Sequence, residues 1–267
     1  MEFLANEGKK VSINVEGEEY IRNAIKTHYV QIGEDYLKII EDYVKPLYKQ
    51  GDIVSISEKI VALCQERVIY KKDVKVGFLA KFLSRFAMKS DAGVGVDNPY
   101  KMQVAIMLNG RIKVIYAAIM GAIGKLFKKP GIFYEIVGPE VSGLDGFYGK
   151  VFEDYLEFGI RIPENPDGVC DEIYEKFGIK AMIVDANDIN VEILGKSSVI
   201  EHDDNYLKKL IIDNPAGQSD ELTPLILIRK SEVDNVEEKV ENDTEQNDID
   251  EQNDVDVFEE DSINIEL

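Results

Sequence analysis

Apolar positions along the chain fall into short runs with mixed periodicity. Tyr36 to Val44 carries them at helical spacing and is closed by Pro46 and Gly51-Asp52. Ile53 to Ser57 is a short β-branched run that predicts a strand, with a helix starting at Ser57 and Glu58 in its first turn. Glu18 to Lys26 fits a strand or a short helix. Val104 to Leu108 and Lys113 to Tyr116 flank Asn109-Gly110, a pair that tolerates the positive φ of a tight turn, which predicts a hairpin, with Ala117 to Phe127 helical beyond it. Glu135 to Val137 reads as a strand before Gly138-Pro139, and Tyr148 to Phe158 as a helix. A loop at Pro163 to Gly168 introduces a helix over Val169 to Phe177, and Lys180 to Val184 is the clearest strand, ending at Asp185. Tyr206 to Ile212 fits helix or strand, Asp213 to Thr223 is a polar loop, and Pro224 to Arg229 is a closing strand. Helices and strands mix without regular βαβ alternation, so the expected class is α+β, with mixed sheets, packed helices and two interleaved subdomains.

Composition divides the chain. The formal charge is -20 over 267 residues. Residues 231–267 hold 16 acidic side chains against one base, Lys239, which leaves 35 acids against 30 bases in residues 1–230. The expected organisation is therefore one domain over 1–230 and an acidic disordered tail over 231–267, too poor in apolar area to offset the entropy of ordering. An acidic chain without a Lys/Arg-rich run is not expected to bind nucleic acid. The longest apolar stretch, Val114 to Gly124, is too short for a bilayer span, and the first residues lack the pattern of a secretory signal; no membrane partner and a cytoplasmic location are expected. Cys64 and Cys170 read as small buried hydrophobes.

With only His28 and His202, chemistry that needs several histidines is excluded, and carboxylates remain. Asp97, in Gly95-Val96-Asp97-Asn98, and Asp185, at a strand end, are the two candidates. Two carboxylates at 4 Å repel by ~4 kcal/mol at an effective dielectric near 20, a cost that Mg²⁺ or Mn²⁺ would remove. The alternative is that each caps a turn or helix. Gly121-Ala122-Ile123-Gly124-Lys125 lacks the remaining residues of a phosphate-binding loop and is read as packed helix. The loop from Asp213 to Glu221 either lines a nucleotide site or is an ordinary surface turn.

Several separated pieces resemble one family, the coenzyme F-420:glutamate ligases, which join glutamate to a deazaflavin precursor. They are Gly51 to Val61 followed by Arg67, Gly95-Val96-Asp97, Pro163 to Gly168, Ile183 to Asn187, and Thr223 to Arg229. The resemblance covers most of residues 18–230. It implies a ligase-like fold, a homodimer, GTP as co-substrate, and metal ligation by Asp97 and Asp185. It also implies nucleotide contacts from Thr27, His28, Tyr29 and Val30, from Glu58 and Lys59, and from Gly217 and Gln218. The implied activity is a GTP- and divalent-metal-dependent ligase adding glutamate to a small-molecule carboxylate. The chain departs from the pattern where the family has a lysine in the helix after the first strand, here Leu63, and a threonine after the second aspartate, here Ala186. Those two departures keep open an inactive binding or regulatory module on the same fold.

Overall fold

The computed structural model describes residues 3–87, 95–147, 153–187, 190–217 and 221–231. The fold is α+β. A six-stranded mixed sheet has the order β1 (Ser12–Val15), β2 (Glu18–Ile25), β9 (Leu225–Lys230), β3 (Ile53–Ser57), β7 (Lys180–Ala186), β8 (Val191–Lys196). In its centre β3 and β7 run parallel, Ile53 opposite Lys180 and Ser57 opposite Val184, while β9 lies antiparallel on the other side of β3. A smaller sheet has the order β4 (Val68–Tyr70), β6 (Phe158–Ile160), β5 (Asp145–Gly146), all antiparallel.

Alternation along the central strands assigns each side chain to a face. Val54, Ile56, Ala181, Ile183, Leu225 and Leu227 belong to a core shared with Ile60 and Val61 of α2 (Glu58–Cys64) and with Val169 and Ile173 of α8 (Pro166–Phe177). The helical run from Tyr36 is also there, as α1 (Tyr36–Ile39) continued by a π-helical segment, Ile40–Val44. Ile53, Met182, Val184, Ile226 and Ile228 face the other way, against Leu207 and Leu210 of α9 (Asp204–Leu210). These strands are buried on both faces, which is why β7 and β9 read as unbroken apolar runs and β3 as a β-branched run interrupted only by serine. Both cysteines are free, and Cys170 is fully buried in the first of these cores.

Between β4 and β5 the chain builds a helical group: α3 (Phe78–Phe86), α4 (Pro99–Asn109), α5 (Arg111–Leu126), α6 (Ile132–Val137) and α7 (Pro139–Ser142). This overturns the hairpin expected at Asn109-Gly110. Gly110 has φ +79°, and its N–H donates to Ile106 O at 2.8 Å, so the freedom that suits a tight turn here ends one helix and begins the next. Glu135 to Val137 belongs to α6, not to a strand. The expected helix at Tyr148 to Phe158 begins outside the described residues, continues as a 3₁₀ turn at Glu153–Leu156, and gives way to β6 at Phe158, which pairs with β4. Gly121 to Lys125 lies inside α5, where a Cβ on Gly124 would collide with Ile132 Cδ1 and meet Lys129 O at 2.8 Å. Its glycine serves close packing of α6.

Glu18–Ile25 is a strand, and Asp204–Leu210 a helix capped by Asp203, whose side chain accepts from Tyr206 N at 2.8 Å. Helix α8 starts at Pro166, three residues earlier than expected, because Asn165 caps it and proline suits the first helical position. The chain divides into two units, Met1–Arg229 and Lys230–Leu267. Of the acidic tail only its first residue, Ser231, is described; the expected disorder concerns residues outside the described ones.

Candidate functional site

The parallel pair β3 and β7 ends side by side, and in mixed sheets that edge is where a ligand meets backbone ends rather than side-chain packing. Ser57 and Val184 are register partners, so the next residues, Glu58 and Asp185, stand where the β3–β7 pairing stops. Asp185 in turn opposes Glu192 of β8. On the other side Ser57 N donates to Pro224 O at 2.9 Å, and Thr27 N donates to Leu222 O at 2.9 Å. Thr27, Glu58 and Asp185, far apart in sequence, thus come to one edge of one sheet.

The electrostatics of that edge are those of crowded carboxylates. Glu58 is only 7% exposed. Burial, and then the charge of Asp185, raise its carboxyl from the ordinary value to about 8, against the opposing effect of Lys59. Asp185 is also raised, by burial first, with Lys59 lowering it and Glu192 and Asp145 adding repulsion. Lys59 Nζ stands 2.5 Å from Asp145 Oδ2, so the first turn of α2 is tied to β5 of the smaller sheet. The next residue, Gly146, has φ +95° and a backbone on which a Cβ would collide with Phe158 O, which explains a glycine there.

Asp97 lies in the turn before α4, where Asn98 caps the helix by accepting from Tyr100 N. The charge of Asp97 acts on Lys101 and on Tyr134, and Tyr134 Oη accepts from Val96 N at 3.2 Å. Lys101 is 3% exposed and donates to Leu144 O at 2.6 Å and Ser142 O at 3.3 Å. Burial lowers its amine to about 8, partly offset by Asp145 and Asp97. Asp145 is therefore the charge common to both neighbourhoods, that of Asp97 and that of Asp185.

The segment after β2 forms a third part. Thr27 is buried, and its hydroxyl donates to His28 O. His28 bridges Tyr43 Oη, 2.8 Å from Nδ1, and Glu34 Oε2, 2.7 Å from Nε2. Gly33 N donates to Leu63 O, which ties the segment to α2. Tyr29, Val30, Gln31 and Ile32, with Leu63, Glu157 and Phe158, line a cavity of about 290 Å³. Leu63 is thus placed beside Tyr29 and Val30, in a cavity whose lining has a carboxylate and no base.

Gly217, with φ +78°, donates to Asn214 O at 3.1 Å; a Cβ on it would meet the Glu221 carboxylate at 2.5 Å. Gln218 is outside the described residues. The start of the same loop is structural. Asp213 forms a two-point ion pair with Arg22, which is 1% exposed and also donates to Leu210 O and Lys10 O.

Sequence reasoning missed Asp145, Glu192 and Lys101. Asp145 sits on a two-residue strand that no periodicity reveals, and Glu192 on a strand visible only as alternation after a polar turn. Lys101 did leave a signal, a single base among the buried positions of α4. Oxygen donors are the right chemistry for a hard divalent cation, and the repulsion that Asp185 exerts on Glu58 is what such a cation would relieve. Among the described residues, however, no three acidic, histidine or cysteine side chains gather at a spacing that would hold a metal ion. No helix among them is long and apolar enough to cross a membrane. A scan against protein-family models and a search of the curated proteins each found no match to this chain.

Proposed function

We propose that the chain is a nucleotide-dependent acid–amino-acid ligase acting at the edge where β3 and β7 end. The observation that carries this reading is the meeting of Glu58 and Asp185, with Lys59 and Asp145 beside them, at the ends of the two parallel strands. In the proposed reaction an acceptor carboxylate oxygen attacks the γ-phosphorus of GTP, releasing GDP and leaving an acyl phosphate. The amine of glutamate then attacks the acyl carbon, phosphate leaves with the C–O bonding pair, and the amine loses a proton as the amide forms. Asp185 and Glu58 would hold Mg²⁺ or Mn²⁺ together with the nucleotide phosphates, and the ion would supply charge neutralisation at the transferred phosphoryl group. Thr27 to Val30 and the cavity beside them would receive part of the nucleotide. The direct test mixes the full chain with GTP, Mn²⁺, glutamate and a set of small carboxylic acids including a deazaflavin precursor. Acceptor-dependent phosphate release that is lost in Asp185→Asn supports the reading.

One observation favours a second reading, a binding or regulatory module without catalysis. Leu63 faces the cavity where a base would meet phosphate, and Glu157 is there instead. Nucleotide binding without phosphate release under any acceptor would select this reading.

A further inference from the structure

We infer that the outward faces of α3 and α5 dock onto an anionic phospholipid surface. Twelve of the sixteen large apolar side chains that stand exposed among the described residues lie between Phe78 and Phe127, so the uncovered apolar area belongs mainly to one helical group. On α3, Phe78, Phe82 and Phe86 follow one another at i, i+4 and i+8 with their rings in contact, Phe78 being 84% exposed. Lys81 and Arg85 are exposed beside them, while Ala80 and Ser84 are buried on the opposite side of the helix.

Helix α5 repeats the arrangement. Val114, Ala117 and Gly124 are buried in the helical group. At ~3.6 residues per turn the exposed apolar positions on the far side, from Ala122 through Ile119 to Tyr116, fill an arc of roughly 120°. Exposed Arg111 and Lys125 border that arc on one side and exposed Lys113 on the other. A broad apolar sector edged by long basic side chains is the geometry of a helix lying in the plane of a bilayer interface, where the aliphatic stems stay with apolar surface and the cationic ends reach headgroup phosphates.

Charge complementarity selects the occupant. The whole chain has a formal charge of -20, yet α3, α4 and α5 carry the bases Lys81, Arg85, Lys101, Arg111, Lys113 and Lys125 and no acid. Lys101 is buried and the others are exposed. Elsewhere Arg22, Lys59, Arg67 and Arg229 each meet a carboxylate. No ion pair among the described residues involves a base of α3 or α5. An anionic bilayer supplies that counter-charge and covers the apolar arc at once. Between Val114 and Gly124 the one polar side chain is Tyr116, so little in the arc fixes the register of a folded partner, and a fluid surface requires none. That charge-free stretch is about 16 Å long at ~1.5 Å per residue, roughly half a hydrocarbon core, so it lies along the bilayer rather than across it. The sequence expectation of no membrane partner rests on spanning length, which does not bear on a helix lying in the headgroup plane. The docking is independent of the ligase reading.

Co-sedimentation of the full chain with vesicles tests it, comparing phosphatidylcholine alone with phosphatidylcholine and phosphatidylserine, at low and high salt. The expected result is partitioning onto the serine-containing vesicles only, in spite of the chain's net negative charge, weakened at high salt. A base near an anionic surface strengthens binding about five-fold, so Lys113→Gln with Lys125→Gln should weaken partitioning about 20-fold. Phe78→Ser with Leu126→Ser, at two strongly exposed positions, should weaken it at least as much, and Lys176→Gln on α8 should leave it unchanged. No partitioning onto the serine-containing vesicles overturns the inference, as does equal partitioning onto phosphatidylcholine alone. So does partitioning that both double variants, folded by circular dichroism, leave unchanged, or that Lys176→Gln weakens as much as they do. Self-association lost in the same variants, without lipid binding, would assign the face to protein and overturn it too.

Discussion

Lys59 and Asp145 meet at 2.5 Å, joining the helix that follows β3 to the short strand β5 of the other sheet. The pair brings one cation into a group of carboxylates that otherwise repel. Lys59 opposes the upward shift of both Glu58 and Asp185. In Lys59→Met the titration midpoint of Glu58 should therefore rise above its value near 8, and that of Asp185 should rise with it. Carbon-13 carboxyl shifts followed over pH measure both; midpoints that stay in place would show that Lys59 does not act on them.

Stability should follow pH in two opposite steps. Glu58 binds its proton more tightly folded than unfolded, so from the ordinary carboxylate value up to about 8 the folded state holds more protons and stability falls as pH rises. Lys101 binds its proton less tightly folded, so from about 8 up to the ordinary lysine value the unfolded state holds more protons and stability rises with pH. Urea unfolding across this range should show Glu58→Gln flattening the first limb by a few kcal/mol, an order of magnitude set by ~1.4 kcal/mol per pH unit. Lys101→Met should flatten the second. A Glu58→Gln profile that parallels the unaltered one below about pH 8 contradicts the assignment.

Asp52 and Arg229 close the central sheet from opposite ends of the sequence. The guanidinium donates from Nε to Asp52 Oδ1 at 2.8 Å and from Nη2 to Oδ2 at 2.6 Å, with Asp52 almost fully buried. Asp52→Asn removes the charge that faces a partly exposed guanidinium and weakens two charge-assisted hydrogen bonds, and should cost about 1.5–3 kcal/mol in chemical unfolding. The double variant Asp52→Asn, Arg229→Met should recover part of that loss. Equal losses in single and double variants would mean that the pair is not the source.

The cavity beside Tyr29 and Val30 gives a gain-of-binding prediction. Leu63→Lys puts an amine where the lining has only Glu157. Nucleotide affinity by isothermal titration should increase, and the increase should shrink at high salt as screening grows. Unchanged affinity in a folded variant would remove the cavity from the nucleotide site.

Legibility in the sequence followed burial. Strands β3, β7 and β9 are buried on both faces, and their apolar, β-branched runs mark them directly; β1 and β8, at the sheet edges, show mixed burial and carry no such mark. The hairpin expected at Asn109-Gly110 fails for a definite reason, since positive φ at Gly110 serves a helix–helix junction as well as a tight turn and only the surrounding helical core decides between them. At the candidate site, Asp185 was legible because it follows an apolar run directly, whereas Glu58 was marked only by the family resemblance. Asp145 was not legible, because the chain reaches it through the second sheet and nothing local marks the approach; Lys101 left only a lone base in an otherwise uncharged helix. The cavity at Tyr29 depends on Leu63, Glu157 and Phe158, distant in the sequence, and composition cannot supply those contacts.

The most direct test of the proposed site is thermal unfolding of the full chain with GTP and Mn²⁺ added singly and together. The account predicts that the pair together raises the midpoint by more than the two separate shifts combined, and that the joint gain disappears in Asp185→Asn while Asp52-dependent stability is retained. No joint gain in the unaltered chain, or an undiminished one in Asp185→Asn, would contradict a nucleotide and metal site at the edge where β3 and β7 end.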